Sequence, residues 1–177
     1  MKVDENAANP MDWSHDGRYI LYYNQSAKTG LDLWALPTAD DRKPLALLQT
    51  SFNEDHGAFS PDARRVAYSS NESGRDEVYV QPFPTTGARH QVSRRGGTQP
   101  LWRGDGRELF FLAADGTMMA ASIDAATGFE AGIPVALFPS GVAFSGNRHQ
   151  YTVTRDGSGF SSTCRRSARR RRRSRSP

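Results

Sequence analysis

Apolar residues in this chain come in short runs, and each run is entered through a polar turn. "YILYY" (19–23), "VAY" (66–68) and "LFFL" (109–112) follow "SHDG", "SPDA" and "RGDG". Pro presets φ at a turn corner, Asp bonds its own backbone, and Gly takes positive φ cheaply. A second turn leads into "DLWALP", "EVYVQPF" or "MMAASI", the first two alternating as half-buried strands do. Short fourth candidates follow: "LALL", "RHQV" and "PVALF". No helical period of useful length is present, so the pattern predicts an all-β chain.

The turn and its strand recur. "DWSHDGRYILYY", "AFSPDARRVAYSS", "LWRGDGRELFFL" and "TVTRDGSGF" share one frame, anchored on Asp16, Asp62, Asp105 and Asp156 at spacings of 46, 43 and 51 residues. A period of about 40 to 50 residues suits a four-stranded propeller blade. The expected fold is a partial β-propeller of about three to four four-stranded antiparallel blades. Its repeats lie near 8–50, 51–96 and 97–140, with a partial one at 141–160 and a lead-in at 1–7. The aspartates and their glycines (Asp16, Gly17, Asp62, Asp105, Gly106, Asp156 and Gly157) are read as turn formers. A turn is needed once per blade and catalysis is not. Ala63 replaces the turn glycine in the second repeat, at a cost of up to about 1 kcal/mol if its φ is positive. Trp13, Phe59 and Trp102 share one repeat position and are read as inter-blade packing.

"FSPDARRVAYSSNESGRDEVYVQPFP", "GGTQPLWRGDGRELFFLAADGTMMA" and "PVALF" carry a resemblance covering residues 8–160. They resemble the TolB-like, WD-repeat-like β-propeller, most of all the version fused behind bacterial serine/threonine protein kinases. The resemblance implies a ring of six or more blades, of which this chain is a C-terminal fragment. It also implies a receptor-like parent with the propeller on the periplasmic or extracytoplasmic side. The kinase's own motifs are absent: there is no Gly-rich nucleotide loop, "HRD" or "DFG".

Composition alters this picture at one point. The 177 residues carry 23 basic and 19 acidic side chains, a net charge of +4. Eight of the arginines crowd the last seventeen residues, "SSTCRRSARRRRRSRSP", leaving 15 basic against 19 acidic residues in the body. A mildly acidic body gives no electrostatic case for binding phosphate backbones. Nucleic acid is therefore a partner only if the tail is native. The repeat argues that it is not: after Gly157 the strand should continue in apolar residues, yet Phe160 is followed by Ser161, Ser162 and Thr163. Loss of one base from codons for "FLVN" reads "FSST", and an arginine-rich continuation is what a GC-rich gene gives out of frame. The expectation is a disordered, frameshifted tail at 161–177 and a fourth blade that lacks an inner strand. Reading the DNA in the neighbouring frame decides it. A stack left open in this way is expected to be marginally stable or to associate through its exposed blade faces.

The low mean hydropathy of -0.66 and the 37% hydrophobic content favour several thin cores over one thick one. No stretch reaches the roughly 18 apolar residues of a membrane helix, so no membrane contact is expected of this segment. "KVDENAANP" after Met1 offers no apolar signal region. The single Cys164 excludes an internal disulfide and a Cys-based zinc site.

Candidate chemistry is sparse. "DGSGF" is no nucleophile elbow, so no catalytic residue is assigned and no enzyme activity is expected. The histidines are scattered, and "NEDHG" (53–57) lacks the ligand alternation of a calcium loop, so neither metal nor cofactor is expected and this stretch is read as a polar loop. Three residues before Trp13, Phe59, Trp102 and Val153 stand Pro10, His56, Gln99 and Gln150. If that strand is innermost, the three polar ones meet near the channel mouth. Asp55 and His149 adjoin them. Asp55, His56, Gln99, His149 and Gln150 are thus the candidate residues for a protein, peptide or small ligand at the rim, with solvated loop positions as the competing account. The functional expectation is a non-catalytic interaction or ligand-sensing module of a receptor-like kinase. The alternative is the propeller of a prolyl-oligopeptidase-type serine peptidase without its hydrolase domain.

Overall fold

A computed structural model describes residues 8–39, 42–84, 88–125, 128–142 and 148–162. The lead-in at 1–7 and the arginine-rich run beyond Ser162 lie outside the described residues. The chain forms antiparallel sheets in sequence order. Blade 1 comprises β1 (Asn9–Trp13), β2 (Tyr19–Ser26), β3 (Gly30–Pro37) and β4 (Leu45–Leu48). Blade 2 comprises β5 (Glu54–Phe59), β6 (Arg65–Ser70), β7 (Glu77–Pro82) and β8 (His90–Gln91). Blade 3 comprises β9 (Thr98–Trp102), β10 (Glu108–Leu112) and β11 (Thr117–Asp124), with an outer edge divided between β12 (Glu130–Ala131) and β13 (Val135–Pro139). A last pair follows, β14 (Tyr151–Val153) with β15 (Phe160–Ser162). No helix occurs among the described residues.

The turns explain why the strands start where they do. In the first, Ser14 Oγ donates to Asp16 Oδ1 at 2.7 Å, and the Arg18 amide donates to the same oxygen at 3.0 Å. Ser60 with Asp62, and Thr154 with Asp156, repeat the arrangement at 2.6 Å each. The residue after each Asp has positive φ: +73° at Gly17, +54° at Ala63, +73° at Gly106 and +75° at Gly157. Ala63 therefore carries the left-handed strain, about 1 kcal/mol, that its position implies.

Packing lies between the sheets. The face of blade 2 bearing Phe59, Val66, Tyr68 and Tyr79 rests on Leu21, Leu33 and Ala35 of blade 1. Blade 3 repeats this with Leu109, Phe111 and Ala121 against Ala67, Val78 and Val80 of blade 2. Beyond blade 3, Phe110, Leu112 and Met118 are covered by Tyr151, Val153 and Phe160. Successive first strands touch, β1 on β5 and β5 on β9, which makes them the inner strands of the stack.

Two expectations are corrected here. Phe59 is 5% exposed and Trp102 donates its indole N–H to Ala58 O at 3.2 Å, but Trp13 is 58% exposed. Trp13 lies on the side of blade 1 that faces away from blade 2, where no described residue covers it. The break at Ser161 is also later than the apolar pattern implies. Ser161 and Ser162 pair with Thr152 and Tyr151, so backbone hydrogen bonding continues after the apolar side chains stop.

Candidate functional site

The inner strands β5 and β9 carry the same irregularity. Each has a register shift, and at it stands a non-glycine residue of positive φ: His56 at +49° and Gln99 at +57°. Left-handed conformations cost L-residues about 1–2 kcal/mol, so the surroundings must hold both in place. "NEDHG", read above as a polar loop, is largely strand: Glu54 and Asp55 pair with Ser70 and Ser69, and Glu54, His56 and Gly57 are buried.

Gln99, 1% exposed, ties the third blade to the last strand pair. Its Oε1 accepts the Gln150 amide at 2.7 Å, its Nε2 donates to Gln150 Oε1 at 3.1 Å, and its carbonyl accepts the Tyr151 hydroxyl at 2.7 Å. Its own amide donates to Ser69 Oγ at 3.2 Å. His56, 5% exposed, is held through Nδ1 by Asp55 Oδ1 at 2.7 Å, with Thr98 Oγ1 at 3.3 Å. His149 meets it edge to face, with ring centroids 5.6 Å apart.

Protonation follows from the partners. A carbonyl only accepts, so the contact of His149 Nε2 with Pro100 O at 3.1 Å places the proton on Nε2 and leaves Nδ1 as an acceptor. His56 engages Asp55 through Nδ1, and its Nε2 is buried without a hydrogen-bond partner. The five candidate residues thus form one cluster across blades 2 and 3 and the last pair. Loop solvation does not describe it, because His56 and Gln99 are buried. Pro10, at the matching place in β1, is exposed and adds no polar side chain.

No family model matches the chain, and no curated protein matches it. Solved structures do. A putative TolB from Agrobacterium tumefaciens superposes with a TM-score of 0.59 at 16% identity, covering 77% of this chain and 53% of that one. TolB from Acinetobacter baumannii does so with a TM-score of 0.64 at 17% identity, covering 92% and 39%. The fold is a partial, TolB-like β-propeller. The chain spans 53% and 39% of the length of these two structures.

Within the propeller, four members of the cluster escaped the sequence pattern. Ser69 and Thr98 bond each other at 3.2 Å and carry the backbone of Gln99 and the ring of His56. Tyr151 is a core aromatic whose hydroxyl reaches a backbone carbonyl. Asp76 has its carboxyl pushed up, first by burial and then by the charge of Asp55. The one signal available was the serine and threonine at inward strand positions.

A half-buried histidine and a buried glutamate give the propeller opposed pH responses. Burial, followed by the charge of His56, depresses His149 to about 4 from an ordinary value of 6.5. The unfolded chain then takes up a proton that the folded one refuses, so this term loses stability as pH falls from 6.5 towards 4. Glu54 is pushed up to about 7 from 4.5, mainly by burial, and its Oε2 is a buried atom without a partner. The folded chain then keeps a proton that the unfolded one releases, so this term gains stability as pH falls from 7 towards 4.5. The two offset each other between about 4.5 and 6.5. Urea titrations across that window are expected to show His149→Asn growing more stable on acidification and Glu54→Gln less stable.

Proposed function

We propose that this chain is a non-catalytic binding module that takes a protein or peptide partner at the inner-strand rim. The observation that carries the reading is the cluster of His56, Gln99, His149 and Gln150. Two strained residues are held by a cross-blade network, and one imidazole nitrogen, His56 Nε2, is left unsatisfied. A buried polar nitrogen without a partner costs stability, and a bound peptide that displaced its cover and bonded to it would recover part of that cost. Rim positions on a rigid β scaffold suit such recognition.

The parent is a receptor-like bacterial serine/threonine protein kinase with this segment at its C-terminal end. The resemblance of "SNESGRDEVYVQPFP" supports this reading. Kinase motifs in the gene upstream are the expected finding. A hydrolase domain there would replace this parentage with the peptidase alternative.

The rim reading is tested by selecting peptides from a displayed library on the whole chain and measuring their affinity. The double variant His56→Asn, Gln99→Asn keeps residue types that tolerate positive φ. It is expected to weaken selected peptides about tenfold or more. Unchanged affinity in a folded double variant would end the idea.

A further inference from the structure

The rim is not the only built concavity. Between blades 2 and 3, near the outer edge, lies a cavity of about 500 Å³, within the range that holds small ligands. It opens where the outer edge of blade 3 is divided. β12 pairs the C-terminal end of β11 (Ile123 with Ala131), β13 pairs the N-terminal half (Ala120 with Val135), and Gly132–Pro134 bridge the gap. In blades 1 and 2 a single fourth strand occupies this edge.

Val92, Phe111, Met119 and Ala131 line the cavity's apolar part, and Ile133 stands at its lip with 90% of its surface exposed. Arg94 and Arg95 belong to the same lining, on the segment that leads from β8 to β9. That segment is pinned from beneath by Glu77, which is fully buried. Glu77 Oε1 accepts from the Gly96 amide at 2.9 Å and from Arg75 Nε at 2.8 Å, while Oε2 accepts from the Ser93 hydroxyl. Arg75 Nη2 also holds the carbonyl of Arg94 at 2.8 Å. Burying a carboxylate is expensive unless it is fully bonded, and here its bonds fix the backbone that presents two arginines.

Neither of those arginines is used by the fold. Arg18, Arg75, Arg89 and Arg103 each hold a carboxylate within 4 Å, but among the described residues Arg94 and Arg95 hold none. The acid that feels Arg95 is Asp115, whose carboxylate is engaged first by the Thr117 amide at 2.9 Å. Two unpaired guanidinium groups beside an apolar recess, on an otherwise acidic body, form a complementary site for one kind of molecule.

We propose that this cavity binds a small amphipathic anion, an alkyl or aryl carboxylate. The hydrocarbon part fills the recess over Phe111 and Met119, and the carboxylate lies between Arg94 and Arg95. Guanidinium–carboxylate bonds are charge-assisted and bidentate, so they set orientation, while the recess supplies the burial. The proposal goes beyond the rim reading and does not depend on it.

Titration of the whole chain with 1-naphthoate, followed by calorimetry and by NMR shifts of Val92 and Ala131, tests the site. One saturable site per chain is expected, with Kd of about 10–100 μM. The double variant Arg94→Ala, Arg95→Ala alters only exposed side chains and is expected to weaken binding about tenfold or more, as is Ile133→Glu. 1-Naphthalenemethanol, which keeps the ring and lacks the charge, should bind about tenfold more weakly, and inorganic phosphate should not shift these residues. Three results would overturn the assignment: undiminished binding by the double arginine variant, phosphate binding as well as naphthoate, or binding that disappears in Trp13→Lys. The last would place the ligand on the bare face of blade 1.

Discussion

Phe59→Ala is expected to destabilise the chain by about 3–5 kcal/mol, whereas Trp13→Ala, at the same repeat position, should change stability by less than about 0.5 kcal/mol. The two aromatics occupy the same place in the blade, and the difference lies in what covers them. Phe59 packs against blade 1 and meets the ring of Phe83 edge to face at 5.0 Å. Its removal leaves a cavity between two sheets that cannot close without moving both. Trp13 has no sheet against it, and more than half of its surface is already in water. Urea unfolding of the two variants side by side measures the contrast. Equal losses would mean that Trp13 is covered in solution. Trp13→Lys, which places charge on that bare face, should then abolish any concentration dependence of sedimentation.

The second large effect is at Glu77. Glu77→Ala is expected to cost about 3–5 kcal/mol, because the Ser93 hydroxyl, the Gly96 amide and Arg75 all lose their acceptor while two of the three remain buried. Glu77→Gln keeps one acceptor oxygen but turns a donor towards the Ser93 hydroxyl, so a smaller cost of about 1–3 kcal/mol is expected. Both follow from chemical denaturation. If the carboxylate serves mainly to set the segment after β8, Glu77→Gln should also weaken naphthoate binding without touching the cavity wall. A Glu77→Ala variant as stable as the parent would show that the segment holds its shape unaided.

The resemblance to TolB-like propellers and the solved TolB structures meet at the level of fold. At 16% and 17% identity they carry the architecture, and the chemistry has to be read from this chain's own side chains. What those side chains offer is two separate places: a strained polar cluster where inner strands meet, and an arginine-rimmed apolar recess where an outer strand is interrupted.

Much was legible in the sequence because it is decided locally. A turn closed by Asp and Gly is settled within five residues, by bonds such as that of Ser14 to Asp16 and by the positive φ of the residue that follows. Four such turns at a steady period set the strand starts, and the repeat frame then placed His56, Gln99 and Gln150 on equivalent inner positions. Other features were out of reach, because they depend on which surfaces meet. Trp13 and Phe59 are indistinguishable by pattern, yet only one has a neighbouring sheet. Gln99 and Gln150 bond across 51 residues of chain, and nothing near either one signals it. Glu77 reads as an ordinary strand residue until Ser93 and Gly96 are brought over it. Local backbone preference therefore determined the blades. Burial, which is a property of the packed stack, decided which aromatics hold it together and where buried polar groups converge.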